Sequence, residues 1–363
     1  MRIKKIQKYL KDSNIDQIII SNPVSINYFI GKQFQPGERL LVLLVSQNGK
    51  PKLLLNELFP YESEEIVDVI RFHDTEDSIK LLAAHLVGAS IGVDHDWSSG
   101  FLLELMNIEQ EKKFMNASNL INQCRNIKDE SEIELMRRSS EINDLAMKEV
   151  SKLLRKGVKE IEVFNQLNDI FMKIDPEARS YGGIVAFKEN AADPHGVSGE
   201  RILDEGDSIV IDIGCIYRGY YSDMTRTFFL KENSMRKVYD TVLQANLNAI
   251  SVIKPGVKFC DIDKAARLVI EEAGYGEYFT HRTGHGIGME IHEPLDVNGT
   301  NNTIVEEGMC FSIEPGIYLP KVGGVRIEDL VIVTRDGCEI LNHYPKTAEI
   351  IKENFKKILL LKH

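Results

Sequence analysis

The chain has 363 residues, too many for one ordinary core, so two domains are expected. A net charge of −11 argues against a nucleic-acid partner, whose phosphates demand clustered Lys and Arg, while 43% apolar and 27% charged residues are the balance of a soluble globular protein. Five scattered cysteines (Cys124, Cys215, Cys260, Cys310, Cys338) with no CxxC support neither a disulfide framework nor a thiolate zinc site, and fit a reducing cytosol.

The first ten residues alternate charges with Ile and Leu at helical spacing. No apolar h-region follows, so no conventional signal peptide is read. The longest apolar runs, such as 40–45, fall far short of the ~20 residues of a bilayer span, so no membrane partner is expected. Up to about residue 120 the pattern is a small α/β unit. Short β-type runs fall at 17–20, 40–46, 52–55 and 91–93, with helical periodicity at 77–86 and 98–107. His73, His85 and His95 share no spacing and read as surface or core residues. The polar, Asn-rich stretch 114–128 reads as the joint, giving domains 1–122 and 123–363.

A long helix is predicted from about Lys128, capped by Asp129 or Ser131 and stopped by Gly157. A second helix is predicted over 161–174, and strands follow. An internal repeat runs through this region. Glu205-Gly206 followed by Asp212-Ile213-Gly214 recurs as Glu307-Gly308 followed by Glu314-Pro315-Gly316, and Gly157-Val158-Lys159 recurs as Gly256-Val257-Lys258. The repeat predicts two similar halves about a pseudo-twofold, with a site between them.

In the first half, strands over 208–215 and 220–228 flank a turn at 217–219, and a simple hairpin sets Asp212 nearly opposite Asp223. In the second, runs over 311–318 and 325–333 flank a turn at 319–324 and set Glu314 opposite Glu328. Like charges so placed repel unless a proton or a cation neutralises them. Between the hairpins lie His281, His285 and His292, and His195 precedes both. Gly284, Gly286 and Gly288 around His285 predict backbone held close to a bound group. The spacing matches neither HExxH nor a dinucleotide GxGxxG. Four carboxylates with imidazole make a hard, oxygen-rich site that favours Mn²⁺, with Co²⁺ and Zn²⁺ as alternatives. Bridging carboxylates predict two divalent cations ~3.5–4 Å apart that activate a water, which is hydrolase chemistry.

The runs IDIGCIYRGYYSDMTRTF, TGHGIGMEIHEP, IEPGIYLP and GVRIEDLVIV resemble the Xaa-Pro peptidases, aminopeptidase P and prolidase, of peptidase family M24 and the methionine aminopeptidase-like superfamily. The resemblance implies a pita-bread α/β fold with internal pseudo-twofold behind a smaller creatinase-type α/β domain. It implies metal ligands at Asp212, Asp223, His285, Glu314 and Glu328, with Glu314 also as general base. His195 and His292 would meet the scissile carbonyl, His281 would relay a proton, and Arg326 would order the site. The implied substrate is a peptide with proline in second place, with a metal-bridging hydroxide as nucleophile and a cytoplasmic homodimer as the working form. Tyr181 or Phe187 would line an apolar proline pocket, since proline lacks an N–H and fixes φ.

Leu295 stands where many relatives carry a second proline. The absence of arginine between His292 and Arg326 tilts the reading from strict dipeptides toward longer peptides. The alternatives are a catalytically inactive binding module on the same fold, which would lose ligands, and another pita-bread enzyme such as creatinase.

Overall fold

The computed structural model describes residues 2–61, 65–348 and 350–351. The chain divides into two units, Met1–Arg125 and Asn126–His363.

The first unit is a six-stranded mixed sheet, β1 (Gln17–Ile20), β2 (Leu41–Ser46), β3 (Lys52–Asn56), β4 (Asp68–Phe72), β5 (Ser90–Val93) and β6 (Lys113–Asn116), in the order β4-β3-β2-β1-β5-β6. Helices α1 (Arg2–Asp12), α2 (Pro23–Ile30), α3 (Ser78–Ala83), α4 (Ser99–Ile108) and α5 (Ser118–Asn126) accompany it. The central strands are buried on both faces and therefore read as continuous apolar runs, while β4 and β6 are half-exposed edges. The division between the units, at 125/126, falls within the 114–128 stretch read as the joint. The segment holds an edge strand and α5, in which Asn119 and Gln123 are exposed while Ser118 and Arg125 are buried, and the expected boundary at 122/123 falls inside that helix. Asp77 caps α3 by accepting from the Lys80 amide at 3.0 Å.

The second unit opens with α6 (Glu130–Ser151). Asp129 and Glu132 form a capping box at its N-terminus, each side chain accepting from the other's backbone N–H at 3.0 and 2.9 Å. The helix ends at Ser151, six residues short of the Gly157 stop expected from the sequence. The predicted second helix is two, α7 (Glu160–Phe164) and α8 (Leu167–Ile174). Next come β7 (Ala178–Phe187), β8 (Ser208–Tyr217), β9 (Tyr220–Tyr221) and β10 (Met224–Phe229), then α9 (Arg236–Ser251) and α10 (Phe259–Glu272). The chain continues through β11 (Gly284–Gly286), β12 (Glu293–Val297), β13 (Cys310–Ile313), β14 (Gly316–Leu319), β15 (Gly323–Arg326), β16 (Asp329–Val333) and β17 (Cys338–Ile340).

The two largest apolar cores of this unit form one per half. Ile142, Ala146, Val150 and Phe171 pack on Ile209, Ile211 and Ile213, while Val242, Ala249, Ile262 and Ala266 pack on Phe311, Ile313 and Val331. The halves repeat each other in backbone detail. Gly157 N donates to Leu203 O and Gly256 N to Val305 O, both at 2.9 Å. Asn143 of α6 donates to the Ile213 carbonyl at 2.8 Å, and Asn246 of α9 to the Ile313 carbonyl at 3.0 Å, each beside a candidate ligand. The two sheets meet where Thr227 Oγ1 donates to Arg326 O at 2.9 Å and Glu328 N donates to Thr225 O at 3.1 Å.

Candidate metal centre

Both hairpins deliver their acids to this junction, by different routes. Across β8 and β10, Asp212 pairs with Thr225, and Ser222 N bonds Cys215 O, so Asp223 falls opposite Gly214 rather than Asp212. The reason is the turn. Arg218 and Gly219 both hold positive φ (48° and 87°), a tight two-residue connection that shifts the register from the one expected. Asp212 and Asp223 become diagonal neighbours on one face. In the second hairpin Ile313 pairs with Asp329 and Gly316 with Arg326, which leaves Glu314 opposite Glu328 as predicted. The run 311–318 is not one strand, however. β13 gives way to β14 at Glu314-Pro315, and Glu328 sits in the matching gap between β15 and β16.

Asp223, His285 and Glu328 each offer one ligand atom within 4.8 Å of the others. His285 Nε2 lies 3.8 Å from Asp223 Oδ2 and 3.4 Å from Glu314 Oε1. Its Nδ1 faces the Gly286 carbonyl at 3.0 Å, the contact that leaves the Nε2 lone pair toward the acids. Asp212 Oδ2 accepts from Arg326 Nη2 at 2.5 Å, Asp223 Oδ1 from the Tyr181 hydroxyl at 2.7 Å, and Glu328 Oε2 from Thr225 Oγ1 at 2.8 Å. Glu328 Oε1 is buried and has no hydrogen-bond partner among the described residues. A buried anionic oxygen left unpaired is costly, and a cation is what satisfies it. Burial, then mutual repulsion from Asp212, raises the Asp223 pKa well above the carboxylate range, and burial with Asp223 does the same to Glu328. Burial lowers His285 to about 4, so its imidazole is neutral and able to ligate. Orphaned oxygen, hard donors and a neutral imidazole fit a divalent cation.

A cleft of about 420 Å³ opens on these groups. His195, His281, His292 and Arg326 all line it with the five candidate ligands, so every site residue singled out in the sequence is brought together. The segment that carries His281 toward His285 is not helical. His281 Nε2 faces the Tyr318 hydroxyl at 2.8 Å, and Tyr318 accepts from Arg326 Nη1 at 2.9 Å. His292 packs edge-on to His285 at 4.3 Å, and burial lowers the pKa of both His281 and His292.

Two expectations are corrected, and one departure is explained. The glycines beside His285 approach neighbouring strands rather than a ligand: a Cβ on Gly284 would lie 1.9 Å from the Ser312 carbonyl oxygen, and one on Gly286 2.3 Å from that of Pro294. Phe187 is in the core, and of the two aromatics only Tyr181 faces the cleft. Leu295 has φ +122°, a conformation closed to proline, which explains the departure there.

Sequence reasoning missed Tyr318, Thr225 and Arg282. The last lines the cleft and pairs with Asp296. Their signal lay only in proximity to the named motifs. Among the described residues no helix is long and apolar enough to cross a membrane.

The model of metallopeptidase family M24 matches residues 134–335, and that of the creatinase/prolidase N-terminal domain matches residues 2–127. An uncharacterized peptidase of Staphylococcus haemolyticus is 39% identical, over 95% of this chain and 99% of its own length. The dipeptidase PepE from Mycobacterium ulcerans superposes with a TM-score of 0.91 at 31% identity, covering 96% of this chain and 97% of that one. The prolidase from Pyrococcus horikoshii gives 0.86 at 32% identity, covering 96% and 99%.

Proposed function

The chain belongs to metallopeptidase family M24, and from that premise we propose that it hydrolyses the bond between an N-terminal residue and a following proline. The observation that carries the proposal is the meeting of Asp212, Asp223, His285, Glu314 and Glu328 in one cleft that also holds three further histidines. The likeness to a prolidase over almost the whole chain supports the proline specificity.

In this reading the five residues hold two divalent cations, Mn²⁺ first, then Co²⁺ or Zn²⁺. Bound there, the cations supply Lewis acidity and a nucleophilic water near neutral pH. The chain's own residues do the rest. Glu314, held at Oε1 by Ser312 Oγ at 3.2 Å, takes the proton from the attacking water and passes it toward the leaving nitrogen. His292 and His195 donate to the scissile carbonyl as charge builds on its oxygen. Arg326 fixes Asp212 and, through Tyr318, the orientation of His281. Tyr181 and Ile184 give the cleft the apolar wall that a proline ring needs.

Arg282, paired with Asp296, also lines the cleft as a cation able to meet a free carboxylate, so the proposed substrates include Xaa-Pro dipeptides as well as Xaa-Pro-Yaa peptides. The working form proposed from the family resemblance is a cytoplasmic homodimer. The test is to strip the protein, reload it with Mn²⁺, and compare rates on an Xaa-Pro dipeptide, an Xaa-Pro-Yaa tripeptide and an Xaa-Ala control. Turnover of the proline peptides alone supports the proposal, and their ratio ranks dipeptidase against aminopeptidase. No turnover of either, with metal bound, sinks it.

A further inference from the structure

We propose that Glu160 is a positioning residue for His195: its buried carboxylate closes the base of the loop, 188–198, that carries this histidine to the cleft. Glu160 opens α7 and is wholly buried, yet among the described residues no cation faces it. Its partners are neutral donors. Oε1 accepts from the Phe187 amide at 2.7 Å and Oε2 from the Gly199 amide at 2.9 Å, while Asn190 Nδ2 reaches the two at 3.2 and 2.9 Å. Phe187 is the residue before the loop and Gly199 the one after it. One carboxylate therefore pins both ends.

The loop is also held by Ser198 Oγ, which accepts from the Val185 amide at 2.9 Å, and by Ala191, buried with Ala186 and Val210. His195 is exposed, and its amide donates to Asp193 Oδ1 at 3.0 Å within the loop itself. The Pro194 carbonyl oxygen lies 3.4 Å from Arg326 Nη1, the loop's link to the residue that holds Asp212. Burying an acid among uncharged donors is unfavourable unless both of its oxygens are used. Here both are, and only a carboxylate accepts on two oxygens at once. A glutamine would turn an N–H toward an N–H.

The second half carries the same device in other residues. Asp263 of α10, the helix that follows Gly256-Val257-Lys258, is 1% exposed and accepts from Thr283 Oγ1 at 2.6 Å and from Arg267 Nε and Nη2 at 3.0 Å each. Arg267 donates to the carbonyls of Phe279 at 3.1 Å and His281 at 3.2 Å, and the Thr283 carbonyl accepts from the Glu314 amide at 2.8 Å. The two acids are not at equivalent repeat positions, since Glu160 aligns with Phe259. In each half, though, a buried acid in the helix following the Gly-Val-Lys repeat ties down the segment that presents a histidine. Two independent solutions to one task argue for a functional constraint rather than loop packing alone.

The activity arm of the test rests on the peptidase reading above. The Mn²⁺-loaded full chain is compared as wild type, Glu160→Gln, His195→Ala and the double variant on an Xaa-Pro-Yaa peptide. Glu160→Gln is expected to keep the wild-type metal content and lose about tenfold in kcat/KM, since misplacing a reacting group by ~1 Å costs up to about a hundredfold. In the His195→Ala background the same change is expected to cost less than about twofold, because the two act as one unit. Equal losses in both backgrounds would overturn the inference and leave Glu160 a merely structural acid. Should Glu160→Gln fail to fold, Asn190→Ala, which removes one donor and no charge, enters the same cycle. A second arm needs no turnover: the His195 C2–H resonance should shift or broaden in Glu160→Gln, and an unchanged resonance overturns the inference. A wild type inert on every proline peptide defeats the peptidase reading and leaves the resonance to decide the positioning.

Discussion

The two acid-bearing hairpins solve one problem differently. In the first, Asp212 stays in the ladder of β8 while Asp223 sits at a break between β9 and β10. In the second, Glu314 and Glu328 both lie in breaks, where the ribbon passes from the five-stranded sheet to the β14-β15 pair. The electrostatics follow the strand and not the half. The acids on the outgoing strands, Asp212 and Glu314, have side chains 20% and 15% exposed and lean on Arg326 and Ser312. Those on the return strands, Asp223 and Glu328, are buried against each other, and burial holds both toward the protonated form. Asp223 and Glu328 therefore carry the repulsion that a cation relieves, while Asp212 and Glu314 are the more exposed pair.

Substitutions that treat the two pairs alike would break this contrast. Glu328→Gln should have the largest effect on function, a loss of roughly a thousandfold or more in kcat with loss of bound metal, measured by turnover and elemental analysis. After chelation the same variant should melt higher than wild type at neutral pH, by about 2 °C or more. The sign follows from linkage. A folded pKa raised above the unfolded one gives stability at low pH that is lost as pH rises through the folded value, so a neutral isostere gains there, and the gain should vanish in acid. Asp212→Asn should also abolish activity but melt lower than wild type after chelation, because it leaves Arg326, 3% exposed, without its charge partner. Equal shifts in the two melts would end the distinction.

Tyr181→Phe removes the hydroxyl that orients Asp223 and should weaken metal binding or turnover by about 10- to 100-fold, seen in a metal titration. The smallest effect is graded: Mn²⁺ affinity should rise with pH, since Asp223 and Glu328 give up their protons on binding. Calorimetry in buffers of different ionisation enthalpy should register that release, and pH-independent affinity without it would contradict the assignment of the proton-bearing pair.

The candidate site was legible because its residues carry chemistry that strands seldom host. Four acids in apolar β runs, with glycine-flanked histidines between, had few readings other than a cation site. Register was legible where the turn was symmetric about the acids, as for Glu314 and Glu328, and was shifted where the backbone of Arg218 and Gly219 chose a tighter turn. The edge strands β4 and β6 escaped because a half-exposed strand needs few apolar residues, so its sequence resembles a loop.

Local sequence thus determined which residues are chemically capable: the capping box of α6, the apolar core strands, the acids, the histidines and the repeat that relates the halves. Only the tertiary structure decided which atoms meet. Tyr318 reaches His281 and Arg326, Thr225 reaches Glu328, and Glu160 grips both ends of the His195 loop. The physical reason is range. Propensity and periodicity act over a few residues, whereas most of these contacts join segments far apart in the chain, and burial sets their energies only after the cores have packed.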